Sequence, residues 1–380
     1  MTIHESIHEG ETTGDGSAAA FTRQCHELVR DLYTPQPWLY FVDFGVSFSL
    51  GVICLVVFHR SSDWIVAIGS GVIAGLAIYR CSIFIHEIQH HPERELRTFS
   101  RAWNACFGIP CLMPLFVYDE HVAHHSVASY GTHEDSEYLP LRPARLVRSM
   151  ALMAVSVLYP VLGPLRFAVF TPLALVSRRM NRFVFTVMSS LYNLKPGYRR
   201  AWAAAAESPS RWFQEIACCL WAWGWIAAGV MGVIPPSMFW KTYVLFVLWM
   251  ALNQLRTLTA HRYDGDGSPQ GSLSQLLDSN TFDRGWLAEA WAPLGLRYHA
   301  LHHLLPALPY HNLGLAHRRL TNALPADSPY HQTRQAGLWP AILDSFAYGV
   351  RVPTPEPACT PATGRHERQE SIARARSLPN

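Results

Sequence analysis

The chain has 380 residues, of which 49% are hydrophobic and only 16% are charged. Soluble domains average roughly 25% charged residues, so this composition argues against a soluble protein and favours a membrane protein. The formal net charge of +3 is too small to indicate nucleic-acid binding, and no nucleic-acid partner is expected.

Cysteine usage and the chain ends narrow the class of protein further. Eight cysteines are spread along the chain without a C-x-x-C pair, which argues against a thiolate metal site or a disulfide framework. The polar, acidic N-terminus does not resemble a signal peptide, and residues 1–27 are predicted to be disordered. Residues 349–380 are rich in Pro, Arg and Ser and are predicted to form a disordered tail. Residues 28–348 therefore form the predicted membrane domain.

Four apolar runs have about the 20-residue length that a bilayer-spanning helix needs. They cover about residues 38–58, 64–85, 212–234 and 238–258. Short turns join them in pairs, so we predict two transmembrane hairpins. The long segment between the pairs is rich in arginine, which predicts that this segment and both termini are cytoplasmic. A further apolar stretch, at 150–176, contains prolines and an arginine and is too short for two crossings. One crossing would put His86 and His299 on opposite sides of the membrane, so the stretch is predicted to lie on, or dip into, the cytoplasmic face if those two residues share a site.

Nine of the 19 histidines lie in three clusters: HEIQHH at 86–91, HVAHH at 121–125 and HALHH at 299–303. On a helix, residues three and four positions apart share one face, so each cluster can offer two or three imidazoles to one centre. Imidazole is a ligand for iron, zinc, copper and nickel. Eight or nine such ligands exceed the four that one zinc ion takes, which favours a site for two metal ions.

The order of these clusters, with an apolar pair between the second and the third, resembles the histidine boxes of the membrane fatty acid desaturase superfamily. That superfamily also includes hydroxylases and ketolases, and the resemblance covers about residues 37–320. It implies an all-α membrane protein with four transmembrane helices in two hairpins and a cytoplasmic helical cap that carries the boxes. It also implies two iron ions, O₂ as co-substrate, and electrons from an external ferredoxin-like or cytochrome b5-like donor. The implied metal ligands are His86, His90, His121, His124, His125, His261, His299, His302 and His303, with His91 as a further candidate.

Several residues near the boxes leave alternatives open. Thr257 stands where some relatives have an asparagine ligand, four residues before His261, so the ligand shell of one iron is expected to differ. Glu87, Asp135 and Glu137 could hold ligand imidazoles by their outer nitrogen, as carboxylates beside metal sites commonly do. The alternative is that all three are solvated loop charges.

The function expected first is that of a lipid desaturase, which introduces a double bond into a fatty acyl chain at the bacterial inner membrane. The main alternative is a hydroxylase or ketolase that oxidises a lipid, hydrocarbon or carotenoid at the same di-iron site.

A remote alternative is a membrane zinc protease, because His86, Glu87 and His90 also satisfy the H-E-x-x-H motif, with Glu87 activating water. That reading leaves the second and third boxes without a role. A metal transporter would need polar groups along a path through the membrane, and the apolar runs contain few.

Overall fold

The computed structural model describes residues 3–91, 93–141, 144–189, 195, 197–285 and 287–347. Within these residues the protein is helical and has isolated β-bridges but no β-strand. Three π-helical turns occur, at Asn104–Gly108, Arg166–Phe170 and Val184–Met188, and 3₁₀ turns at Arg30–Leu32, Leu115–Val117 and Ala204–Glu207. The α-helices are, in chain order, α1 (Ile3–Val29), α2 (Pro37–Arg60), α3 (Trp64–His90), α4 (Glu93–Trp103), α5 (His121–His124), α6 (Arg145–Val155), α7 (Tyr159–Leu165), α8 (Thr171–Val176), α9 (Arg178–Phe183), α10 (Pro209–Val230), α11 (Pro236–Ala260), α12 (Ser272–Asp278), α13 (Ala288–Trp291), α14 (His299–Leu304), α15 (Tyr310–Ala323), α16 (Pro329–Gln332) and α17 (Leu338–Phe346).

Helix α1 occupies most of the segment that was predicted to be disordered. Its last turns place Phe21, Cys25, Leu28 and Val29 against the main hydrophobic core. These residues follow one another at spacings of four, three and one, so they form one apolar stripe on an otherwise polar helix. The stripe has too few residues to be recognised in the sequence of a segment that is composed mostly of polar residues. The predicted tail at 349–380 lies outside the described residues.

The first two predicted apolar runs correspond to α2 and α3, which pack along one another. Pro37 begins α2, where its missing N–H costs nothing. Asp63 caps α3 by accepting hydrogen bonds from the N–H groups of Ile65 and Val66. Apolar side chains of α2 such as Val46 and Ile53 are more than 60% exposed, which is typical of a surface that contacts lipid.

Three helical stretches of the described residues, not the predicted four, are long and apolar enough to cross a membrane: 37–60, 64–90 and 159–176. The predicted number of spans was therefore wrong. The runs at 212–234 and 238–258 do form helices, α10 and α11, but charged and amide residues such as Glu215, Gln254 and Arg256 dilute their apolar character. The third of these stretches comprises α7, a π turn and α8, and belongs to the apolar segment that was expected at the cytoplasmic face.

Helices α10 and α11 were predicted to form a hairpin, but each packs mainly against elements other than its hairpin partner. Helix α10 packs against the turn Arg166–Phe170 and α8, whereas α11 packs against α3. At Gly75 of α3 a Cβ atom would lie 2.9 Å from Cδ2 of Leu248, so this glycine permits the close approach of α11. Trp249 then donates a hydrogen bond from Nε1 to the Ser82 hydroxyl at 2.9 Å. These contacts fix the end of α3 beside the end of α11.

Candidate metal centre

Four separate parts of the chain bring the predicted ligands together. The last turns of α3 carry His86 and His90, and α5 with the following residue carries the second box. His261 directly follows α11, and α14 carries the third box. Most of these rings are buried; His302, for example, is 1% exposed. The site therefore lies in the interior and not in a surface loop.

All nine of the main predicted ligand residues fall into two groups in which the possible ligand atoms lie within 4.8 Å of one another. The group of five contains His86, His90, His121, His125 and His302. The group of four contains His124, His261, His299 and His303. Each box contributes to at least one group, and the second and third boxes contribute to both. The structure thus has two neighbouring clusters of nitrogen donors.

The ring nitrogens approach one another in a way that hydrogen bonding does not explain. Nε2 of His261 lies 2.9 Å from Nε2 of His299 and 3.3 Å from Nε2 of His124. Nε2 of His302 lies 3.1 Å from Nε2 of His90 and 3.2 Å from Nε2 of His125. A ring nitrogen carries one proton or one lone pair, so three nitrogens that converge on one point are better satisfied by a shared cation. Imidazole clusters of this kind fit divalent transition metals such as iron.

Two carboxylates orient rings of the second box. Nδ1 of His121 lies 2.7 Å from Oε1 of Glu137, and Nδ1 of His124 lies 2.9 Å from Oδ2 of Asp135. Asp135 also accepts backbone N–H groups, from Gly131 among others. These contacts favour the orienting alternative over solvated loop charges. Each leaves Nε2 of its histidine directed at the cluster, as second-layer carboxylates do in metal sites.

The electrostatics of the site favour neutral imidazoles at His125 and His303 and ionised carboxylates at Asp135 and Glu137. At His124, by contrast, the charge and the hydrogen bond of Asp135 outweigh burial and raise the pKa. Burial, reinforced by the neighbouring imidazoles, holds the pKa of His125 and of His303 well below the usual range. Burial alone would raise the pKa of Asp135, but the charge and the hydrogen bond of His124 outweigh it and lower the pKa. The same balance, with His121 as the partner, lowers the pKa of Glu137. Neutral imidazole is the form that binds metal.

Two residues that sequence reasoning missed support His261. The Tyr130 hydroxyl donates to Oδ2 of Asp278 at 2.8 Å and lies 2.9 Å from Nδ1 of His261. Because its only proton goes to Asp278, the hydroxyl oxygen accepts from His261, which directs Nε2 of that ring to the cluster. Asp278 ends α12 and belongs to no motif. Tyr130 lies within the residues that the family resemblance covers, about 37–320, but its spacing from the histidine boxes gives no sign of this role.

His91 belongs to neither group. Its Nε2 lies 3.2 Å from the Tyr40 hydroxyl and 3.4 Å from Oε2 of Glu87. The same Glu87 oxygen accepts from the Tyr40 hydroxyl at 2.9 Å and from the Tyr310 N–H at 3.2 Å. Glu87 is therefore occupied by protein donors and is poorly placed to activate water, which counts against the protease alternative.

Comparison with known proteins identifies the family. Residues 62–334, which include all three boxes, match the family described as fatty acid desaturase. The chain belongs to the fatty acid desaturase family. A relative named ceramide hydroxylase, from Caulobacter vibrioides (strain NA1000 / CB15N), is 37% identical over 337 residues, which are 87% of this chain and 94% of the relative. Membership of this lipid-modifying family and the apolar helices together indicate a membrane-associated oxidoreductase, and the resemblance drawn from the boxes is confirmed.

Proposed function

We propose that the protein is an O₂-dependent di-iron hydroxylase that acts on a ceramide. The observation that carries this proposal is the similarity to a relative named ceramide hydroxylase over 94% of that relative's length. An alignment of that extent spans the helices around the site as well as the boxes. It favours hydroxylation, the alternative reading of the sequence, over the desaturation that was expected first.

The two histidine groups are the proposed iron ligands, with five imidazoles for one ion and four for the other. When bound, the two irons would supply the oxidising chemistry: O₂, two electrons and two protons convert a C–H bond into C–OH and water. The chain itself would hold the ions through neutral imidazoles, orient three of these rings through Glu137, Asp135 and Tyr130, and exclude water by burial.

Other features of the proposal concern partners and location. The electrons would come from an external ferredoxin-like or cytochrome b5-like donor. The site would face the cytoplasm of a bacterial inner membrane, the side that the arginine-rich segment between the apolar pairs indicates. Three apolar helices of sufficient length support the membrane location.

Desaturation of an acyl chain is the second candidate, because the family as a whole is described by that activity. Both reactions need the same metal centre and differ in the fate of the substrate after the first hydrogen is removed. Product mass separates them directly: hydroxylation adds one oxygen atom, whereas desaturation removes two hydrogen atoms.

The test is expression in a bacterial host that makes no ceramide, with ceramide, ferredoxin and its reductase supplied. We expect a product heavier by one oxygen, with that oxygen derived from isotopically labelled O₂. His302→Ala should abolish the product, while His133→Ala should not, because His133 is exposed and lies outside both groups. A product lighter by two hydrogens would establish the desaturase instead. An enzyme that binds iron but leaves ceramide unchanged would refute the proposed substrate.

A further inference from the structure

One face of α10 lines two cavities that share Ile109 as a wall residue. The cavities have volumes of about 770 and 470 Å³, within the range of roughly 300–1,000 Å³ that is usual for small-molecule sites. Residues spaced by four and three positions share a helix face. At 1.5 Å per residue the stripe extends about 27 Å along the helix. The stripe consists of Ser210, Gln214, Ala217, Trp221, Gly224 and Ala228.

The larger cavity, which we call the polar chamber, offers uncharged hydrogen-bonding groups. Nδ2 of Asn104 donates to Oε1 of Gln214 at 3.2 Å, and Oδ1 of Asn104 accepts from the Leu115 N–H at 3.1 Å. The chamber is also lined by Gln89 and His91, which flank His90 in the chain. The polar chamber is therefore bordered by the first histidine box.

The buried cations of the polar chamber already have carboxylate partners. Arg200 forms an ion pair with Asp119, and Arg211 lies 3.0 Å from Oε1 of Glu215. Arg101 adds an exposed positive charge at the surface of the chamber. A buried anionic group would need a free buried cation, so the interior of the chamber suits an uncharged amide or hydroxyl and not a phosphate.

The smaller cavity, which we call the tryptophan groove, is apolar. Trp221 and Trp225 line it together with small residues of α10. Nε1 of Trp221 donates to the Pro110 carbonyl at 2.9 Å, which holds the indole against the groove and leaves its apolar face to a ligand. Such a surface suits a hydrocarbon chain.

Irregular helical turns surround the polar chamber. Asn104 begins one π-helical turn, and Phe185, another residue of the chamber wall, lies in a second. The third π turn begins with Arg166, which pairs with Glu215 behind the chamber. Such turns are rare and occur frequently at functional sites. Their clustering is an observation independent of the cavity shape.

We infer that the polar chamber and the tryptophan groove together form a lipid-binding site. The amide and hydroxyl groups of a ceramide would occupy the chamber beside the first histidine box, and one hydrocarbon chain would lie along α10 in the groove. This assignment rests on the proposed function, which supplies the identity of the lipid.

Gly224 allows a clean test, because a Cβ atom at this position meets nothing within 4 Å. Gly224→Leu should fold and fill the tryptophan groove. Gly69→Leu is the matched control: Gly69 lies on α3, is exposed, and also has open space around its Cβ position. The probe is a ceramide that carries a photoreactive group at the end of its acyl chain, followed by mapping of the labelled peptides.

We expect the wild type and Gly69→Leu to be labelled within residues 217–228, and Gly224→Leu to lose that label. Gly224→Leu should also lose turnover of long-chain ceramide to a greater extent than turnover of short-chain ceramide. Labelling elsewhere in a wild type that hydroxylates ceramide would overturn the site and leave the function standing. A wild type that neither binds nor oxidises ceramide would overturn both. A preference for anionic lipids that disappears in Arg101→Ala would overturn the uncharged head group.

Discussion

Each histidine of the centre has two ring nitrogens, and the partner of the outer nitrogen sets the direction of the inner one. His121, His124 and His261 have such partners, whereas both nitrogens of His86 and of His303 lack a hydrogen-bond partner within the described residues. The three supported rings are thus oriented by the protein itself. The unsupported rings depend on packing and on the metal for their position.

Of the two carboxylates that contact the second box, Asp135 accepts hydrogen bonds from the larger number of donors, so its replacement tests this orientation. Asp135→Asn removes the negative charge opposite His124 and should lower iron affinity by about 10–100-fold, the usual effect of losing such a partner. Titration of the metal-free protein with iron(II) measures the change. Glu134→Gln is the control, because Glu134 is the exposed neighbour in the same loop. Unchanged affinity in a folded Asp135→Asn protein would contradict the orienting role.

The sequence predicted those residues of the candidate site whose pattern is local. The histidines lie three and four positions apart within each box, and Asp135 and Glu137 follow soon after the second box. Tyr130 and Asp278 are 148 positions apart and meet only through the fold. Glu87 lies in a strong local motif, H-E-x-x-H. However, the residues that it contacts, Tyr40 and Tyr310, lie on other helices. The periodicity of a sequence shows which side chains share a helix face, but it does not show which residues that face contacts in the fold.

At the scale of elements, the stretch at 159–176 contains a charged residue whose cost in an apolar environment is lowered by a buried partner. Arg166, in the middle of this stretch, is a charge that would by itself disfavour a position inside the membrane. In the structure its guanidinium is fully buried and pairs with Glu215 of α10 and with the Thr171 hydroxyl. A paired ion is far less costly in an apolar environment than a free one. Because the partner lies in another helix, hydropathy along the chain could not reveal it.

This ion pairing predicts that replacement of Glu215 strongly lowers the stability of the protein. Its two carboxylate oxygens accept from both Arg166 and Arg211, so Glu215→Gln leaves two buried cations without a counter-ion. We expect the free energy of unfolding to fall by about 3–5 kcal/mol, measured by thermal or denaturant unfolding in detergent. Glu207→Gln, an exposed change shortly before α10, should have little effect. Equal stability of the two variants would show that the network is not needed to dock α10.

At the scale of the whole molecule, the metal centre joins elements that are far apart in the chain. The group of five connects α3, α5 and α14, and the group of four connects α5 and α14 to the end of α11. Ions bound there would therefore act as cross-links, and their binding free energy would add to the stability of the fold.

Metal removal should consequently destabilise the whole protein and not only inactivate it. A ligand at a hundredfold excess over its Kd stabilises the folded state by about 2.7 kcal/mol per site, so removal of iron by a chelator should lower the melting temperature and iron(II) should restore it. Zinc should restore stability without turnover, because it binds imidazole but has no redox chemistry. His302→Ala should retain a smaller shift, since the group of four stays intact, and His133→Ala should retain the full shift. If the metal-free and iron-loaded proteins melt at the same temperature, the centre does not cross-link the fold, and the clustered imidazoles must be held by packing alone.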